Sequence, residues 1–341
     1  MKQYKILKSI LGIGIFLVLV LVALIWSATP KKEVKIANKS KKVTIVQHGQ
    51  RKAFLYMPLY IALEEGYFKE NGLDVELIYS GDEDQSATIV AEGKADFGIG
   101  DPIFSASTQF QGENLKTVAL LVTKTPIVGY TNKEEISEIK DVKALNNLSI
   151  SSFPEPSALY TNLRDLKIEN DLNLDIKPMV LGSQMAAVEA GEIDIAMDFD
   201  PIVAIAEREG FHAVISLGNF LPQQAMIGVV TKENYINEHP ENVQKFVNAM
   251  QKAVKVFYTD DDISLRVAKK TFENINEHSL KRSIERTRQN EIYPKSLVIT
   301  EGLWQQGIVE HLNAGDIDAP QPIEKATDNT FATHAYEIYG K

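Results

Sequence analysis

The sequence predicts an α/β protein built as two similar lobes, each a mostly parallel sheet with helices on its faces. Three observations carry that expectation. First, β-rich runs alternate with helix-period runs from Lys42 to about Lys124. Second, the same alternation restarts near Leu148. Third, "AEGKADFGIGDPI" (Ala91 to Ile103) and "EAGEIDIAMDFDPI" (Glu189 to Ile202) share one plan: a helical approach ending in Gly, then Asp, a short apolar run, and Asp-Pro-Ile. Two copies are too few for a solenoid, which needs about three or more repeats, so the phrase reads as one unit per lobe.

The elements follow in order. "KVTIVQ" is a strand, and "PLYIALEEGYF" places Leu59, Ala62 and Leu63 on one helical face. "LDVELIY" alternates like a half-exposed strand, "QSATIVAE" is a helix that Gly93 terminates, and "ADFGIG" is the next strand. After another helix comes the strand "LKTVALLVTK". The second half repeats the pattern with the strand "LSISS", the helix "PSALYTNLRDL", the strand "IKPMVLG", the helix "SQMAAVEA" ended by Gly191, and the strands "IDIAMD" and "HAVISLG". "AMIGVVTKEN" resembles a crossing back to the first lobe. From His239 the pattern is helical, with Pro240 suited to a first turn.

Composition narrows the function classes. The 341 residues carry 44% hydrophobic and 24% charged side chains, enough for a sizeable core. A formal charge of −10 and the lack of a basic stripe argue against a nucleic-acid partner. Cysteine is absent, which removes disulfides, thiolate nucleophiles, Cys-ligated zinc and a lipid-modified N-terminal Cys. The N-terminus opens with Lys2, Lys5 and Lys8, followed by an uncharged apolar run from Ile10 to Trp26. Residues 1–28 read as a signal-anchor or signal peptide; Trp26 stands where a cleavage site wants a small residue, which favours the uncleaved anchor. Residues 29–41 are polar and Lys-rich, a tether, and lysines on both flanks leave the orientation open.

Ligands in open α/β sheets bind beyond the carboxyl ends of the strands, where both Asp-Pro-Ile segments fall. Asp101, Asp198 and Asp200 are therefore candidates to accept hydrogen bonds from a ligand, although Asp-Pro also initiates turns unaided. The loop "HGQRKAFLYMPLY" offers Gln50, Phe54 and Tyr56 as a polar anchor beside an aromatic wall, with Tyr60 read as core. "SSFPEPSALY" opens the second half similarly: Ser152, Phe153 and Ser157 sit near a helix start, where Ser157 can equally be an ordinary cap. Gly182, Ser183 and Gln184 carry the same ambiguity. No zincin, Walker A, nucleophile-elbow or dinucleotide-loop pattern is present, so no catalytic residue, metal or cofactor is expected. The charged run "LKRSIERTRQNE" reads as solvated surface, and Leu303 and Trp304 as packing residues.

"YIALEEGYFKENGLDVEL", supported by "AEGKADFGIG" and "AVEAGEIDIAM", resembles the solute-binding proteins of ABC importers in the nitrate, sulfonate, taurine and thiamine-pyrimidine-precursor group. The resemblance spans roughly Lys42 to Asn313. It implies the type 2 periplasmic-binding-protein-like fold, with lobe I from residues 42–125 and 226–341, lobe II from 126–225, and a ligand cleft between them. It also implies a monomeric, extracytoplasmic, non-enzymatic protein that delivers a small molecule to a permease and its ATPase. Acidic side chains beside Phe54, Tyr56, Phe153 and Phe199, opposed by Arg51 and Lys52, suggest an aminopyrimidine thiamine precursor or a similar flat aromatic. Alternatives are a sulfonate- or nitrate-type anion binder, a membrane-tethered sensor, and an enzyme like the thiamine-pyrimidine synthases of the same group, for which His48 and Lys52 lie near the relevant loop.

Overall fold

The computed structural model describes residues 41–81, 85–106, 112–155, 157–314, 317, 319 and 322–340. The expected membrane anchor and all but the last residue of the tether lie outside these residues; Lys41, expected to end the tether, instead opens the first strand. Among the described residues no helix is long and apolar enough to cross a membrane.

The strands are β1 (Lys41–Gln47), β2 (Leu73–Tyr79), β3 (Phe97–Gly100), β4 (Leu115–Val122), β5 (Ile127–Thr131), β6 (Ser149–Ser152), β7 (Asp175–Pro178), β8 (Ala196–Phe199), β9 (His212–Ser216) and β10 (Ile227–Lys232). The longer helices are α1 (Met57–Glu64), α2 (Ala158–Glu169), α3 (Ile202–Arg208), α4 (Pro240–Thr259), α5 (Asp261–Thr271), α6 (Glu277–Gln289), α7 (Glu301–Ala314) and α8 (Thr330–Tyr339).

A five-stranded sheet runs in the order β2-β1-β3-β10-β4. Its first three strands are parallel, while β10 lies antiparallel to both neighbours. The segment that reads as a crossing back is thus a central strand of the first sheet. The second half does not form the mostly parallel sheet that its strand–helix alternation predicts: β5 pairs antiparallel with β8 and β9, and among its described strands only β6 and β7 pair in parallel. A lone parallel bridge from Ile150 to Ile195 links these two small sheets. The chain passes between the larger sheet and the smaller ones twice, side by side: Gln224 and Met226 N–H groups donate to the Thr123 and Val122 carbonyls at 3.0 and 3.2 Å.

Apolar periodicity places the cores. Alternate residues of β1 and β3, such as Val43, Ile45, Phe97 and Ile99, pack with Phe246, Met250, Val254 and Phe257 of α4. A separate cluster unites Ile127, Ile150, Leu159, Leu163, Ile195, Met197 and Ile215. Side chains cap the helices at several starts: Ser157 accepts from Tyr160 N–H at 3.4 Å, Asp260 from Ile263 at 2.8 Å, and Asn276 from Ser279 at 2.9 Å.

The doubled phrase folds twice into one device. Gly93 and Gly191 take φ of 73° and 74°, the left-handed conformation that closes a helix without a Cβ penalty. Three residues later each Asp binds both backbone polar groups of one residue on the neighbouring strand. Asp96 accepts from Thr44 N–H at 2.8 Å and donates its own N–H to the Thr44 carbonyl at 2.9 Å. Asp194 accepts from Ser149 N–H at 2.6 Å and donates to the Ser149 carbonyl at 3.0 Å. Each pair aligns the start of a strand, so β3 and β8 deliver Asp101 and Asp200 from their carboxyl ends.

Candidate functional site

The loop from His48 to Tyr56 leaves the carboxyl end of β1 and is fixed from beneath by two buried polar side chains. Tyr60 on α1 donates its hydroxyl to Gln47 Oε1 at 2.7 Å and accepts from Ala53 N–H at 2.9 Å. Gln47 Nε2 in turn donates to the carbonyls of His48 and Arg51, both at 3.2 Å. Burial raises the Tyr60 phenol well above its usual range, so it stays a neutral donor. The loop backbone is therefore set, with Gln50, Arg51 and Lys52 exposed and Phe54 and Tyr56 buried.

This loop walls three adjoining cavities at the junction between the larger and smaller sheets. The central one, about 350 Å³, is lined by Phe54 and Tyr56 of the loop, Pro126, Val128 and Phe199 of the smaller sheets, and Arg286, Thr287, Asn290 and Tyr293 around the end of α6. An inner one of about 380 Å³ shares Tyr56, Pro126 and Phe199, and adds Asp101, Phe153, Ser157, Asn162, Glu310 and His311. An outer one of about 800 Å³ shares Gln50 to Phe54 and Asp200, and opens toward Lys270, Thr271 and Asn274. The central walls are mostly aromatic and aliphatic with a few polar groups, the composition of a small-molecule site. Among the described residues no cluster of His, Cys, Asp and Glu could hold a metal ion.

The sequence-derived candidates divide. Gln50, Phe54, Tyr56 and Asp200 line the central cavity, and Asp101, Phe153 and Ser157 the inner one. Phe153 and Phe199 stack at 5.8 Å between ring centroids. Ser152 and Asp198 line none of the three. Ser152 is fully buried and donates to the Phe153 carbonyl at 3.1 Å. Asp198 points to the opposite side of β8 from Phe199, into the core, as strand alternation requires. Asp101 accepts from Ile103 N–H at 2.9 Å and lies 3.1 Å from His311 Nε2.

Asp198 has a consequence for stability. Burial pushes its carboxyl up to about 6, with the nearby Asp200 carboxylate adding to the rise and Phe199 N–H opposing it. A carboxyl held above its unfolded value binds its proton more tightly when folded, so stability falls as pH rises between about 4 and 6 and then levels off. Asp198→Asn cannot ionise and keeps the acceptor for Phe199 N–H. The wild type should lose roughly 2–3 kcal/mol relative to this variant between pH 4 and pH 7, by denaturant unfolding at each pH. Parallel stability profiles for the two proteins would refute it.

Asp200 is held by α6: Arg286 Nε lies 3.5 Å from its Oδ2, and Ser283 donates to Oδ1 at 3.1 Å. Burial pushes the Asp200 carboxyl up against the pull of that guanidinium. Arg286 also reaches Glu207 of α3 at 2.6 Å, and Glu207 receives Arg282 at 3.1 Å. The run "LKRSIERTRQNE", expected to be solvated, is in part a buried interface, with Arg286 only 4% exposed. The sequence carried a signal for this. Ser279 and Ser283 recur four residues apart, and both are buried, with Ser279 donating to the Ala204 carbonyl at 3.1 Å. Small residues at that spacing let two helices approach closely, and Arg286 and Asn290 extend the face into the central cavity.

A family model described as NMT1/THI5-like matches residues 53–262, well over half of the chain. The chain belongs to the NMT1/THI5-like family. Within reach of this family member is YtlA of Bacillus subtilis, which carries a binding-protein name and is 23% identical over 77% of this chain and 80% of its own length. The riboflavin-binding protein RibY of Chloroflexus aurantiacus is 24% identical over 81% of this chain and 82% of its own. The Saccharomyces cerevisiae 4-amino-5-hydroxymethyl-2-methylpyrimidine phosphate synthase THI13 is 22% identical over 64% and 68%. Among solved structures, the periplasmic aliphatic sulphonate-binding protein SsuA of Escherichia coli superposes with a TM-score of 0.62 at 14% identity, covering 84% of this chain and 91% of its own. The ligand-binding component of an ABC-type import system from Staphylococcus aureus gives 0.62 at 15% identity, over 86% and 99%. These likenesses establish that this NMT1/THI5-like chain has the periplasmic-binding-protein-like α/β fold.

Proposed function

We propose that this protein is the extracytoplasmic solute-binding component of an ABC importer and captures a small, flat heteroaromatic nutrient. The observation that carries the reading is the central cavity, whose aromatic walls come from both sides of the sheet junction: Phe54, Tyr56 and Tyr293 from one, Phe199 from the other. In this reading residues 42–125 with 226–341 form lobe I and residues 126–225 form lobe II. They close on the ligand, which stabilises the closed state by contacting both. The permease and its ATPase are the partners, and residues 1–28 anchor the chain to the membrane. The names of YtlA, RibY and the importer components support it.

The aspartates do little to select an aminopyrimidine, because Asp198 turns away and Asp200 is already bonded to Ser283 and paired with Arg286. Shape remains the stronger criterion, and riboflavin and 4-amino-5-hydroxymethyl-2-methylpyrimidine are the two flat ligands that relatives' names suggest. Calorimetry and thermal unfolding of the full chain in detergent test the proposal with both, beside taurine and ethanesulfonate. Saturable binding of one heterocycle is expected, with stabilisation of about 2.7 kcal/mol at a hundredfold excess over Kd. Binding of sulfonates alone would sink it. The synthase names of the yeast relatives favour a second reading, an enzyme. Incubation with pyridoxal phosphate separates the two: a Schiff-base absorbance lost in Lys52→Ala would favour catalysis.

A further inference from the structure

We infer that the ligand carries an oxyanionic group, of the phosphate class, which docks on Arg51 and Lys52 in the outer cavity while the flat ring occupies the central one. This deepens the proposed binding role and rests on it.

Arg51 and Lys52 line both cavities, so they stand at the passage from one to the other. Both are exposed, and neither has an ion-pair partner among the described residues. That is unusual company in a chain with 46 acidic and 36 basic side chains, where many other cations pair: Lys270 meets Glu64, Lys252 meets Glu70 and Arg266 meets Glu65. Lys52 Nζ lies 5.7 Å from the Tyr60 ring centroid, a weak cation–π contact that leaves its three donors available.

The loop that bears them is built rather than loose. The Gln47 amide, fully buried, holds the Arg51 carbonyl at 3.2 Å, and Tyr60, 1% exposed, holds Ala53 N–H at 2.9 Å. These two bonds bracket Arg51 and Lys52, so the backbone carrying both cations is fixed before any ligand arrives. Less ordering entropy is then lost on binding.

The carboxylates facing the same space are largely committed. Asp200 is bonded to Ser283 and paired with Arg286, which among the described lining residues leaves Glu273 against the two cations. A guanidinium and an ammonium side by side suit an oxyanion: the first offers a planar fork, the second a mobile point charge. A volume of about 800 Å³ gives room for a short polar tail as well as its anion.

The test uses the full chain and its Arg51→Ala/Lys52→Ala variant, with paired probes: riboflavin against riboflavin 5′-phosphate, and the hydroxymethylpyrimidine against its monophosphate. In the wild type the phosphorylated member of a pair that binds should be favoured roughly tenfold or more, the value of one charge-assisted contact. In the variant that ratio should fall to about one. Inorganic pyrophosphate alone, followed by thermal shift, should stabilise the wild type and not the variant. A ratio near one in the wild type, or a pyrophosphate shift that is absent or equal in both proteins, overturns the inference. Failure of every heterocycle with a pyrophosphate shift that depends on Arg51 and Lys52 would instead overturn the flat-ring reading and leave the anion site standing.

Discussion

Arg286→Met should destabilise the protein by roughly 3–5 kcal/mol at pH 7, because it takes the shared cation from two carboxylates that are only 10% and 18% exposed. Asp200 and Glu207 sit on a different segment from Arg286, and the guanidinium bridges them at 3.5 and 2.6 Å. The attraction itself does not set the size of the effect. The desolvated charge of Asp200, left without any counterion, does, together with that of Glu207, which keeps only Arg282. Denaturant unfolding measures the loss directly. Adding Asp200→Asn and Glu207→Gln to Arg286→Met should recover most of it, since no uncompensated charge would remain. A loss below about 1 kcal/mol in the single variant, typical of an exposed pair, would show that the network is solvated.

Phe246→Ala should cost a similar amount, about 3–5 kcal/mol, by a different route. Phe246 is fully buried on α4, stacked on Phe97 of β3 at 4.2 Å and tilted against Phe68 at 5.2 Å. Removing it leaves a cavity that its rigid neighbours cannot fill. The midpoint of urea unfolding should fall at an unchanged slope, the signature of lost stability rather than an altered denatured state. Phe246→Leu, which retains most of the volume, should lose much less. Equal losses in the two variants would mean that the site tolerates no change of shape, rather than that a cavity is at fault.

The repeated phrase shows what was legible in the sequence. Helix-ending Gly, strand-starting Asp and terminal Asp-Pro are local chemistry, so Gly93 with Asp96 and Gly191 with Asp194 could be read without any long-range contact. Strand direction could not. Nothing in "AMIGVVTKEN" says that β10 enters antiparallel between β3 and β4, since pairing depends on segments more than a hundred residues earlier. Of the candidate site, the aromatic wall was legible because flat apolar side chains in a loop after a strand have few other uses. Asp198 was within reach of a local rule: it neighbours Phe199 on one strand, and adjacent residues face opposite sides. Arg286 was hidden because its two partners lie 86 and 79 positions away in the chain, and a charged helix face looks the same whether water or a carboxylate meets it.

The place of β10 also governs the order in which the chain can assemble. Among the described strands of the larger sheet β4 pairs only with β10, so it has no strand to join until residue 227 and beyond have been made. The strands between, β5 to β9, complete their own pairing from residues 127–216 alone. During synthesis β5 to β9 should therefore be able to acquire protection from hydrogen exchange before β4, which waits as an unpaired apolar segment. Until β10 arrives, β4 offers an unpaired strand edge that a chaperone or a neighbouring chain can meet before the sheet is sealed.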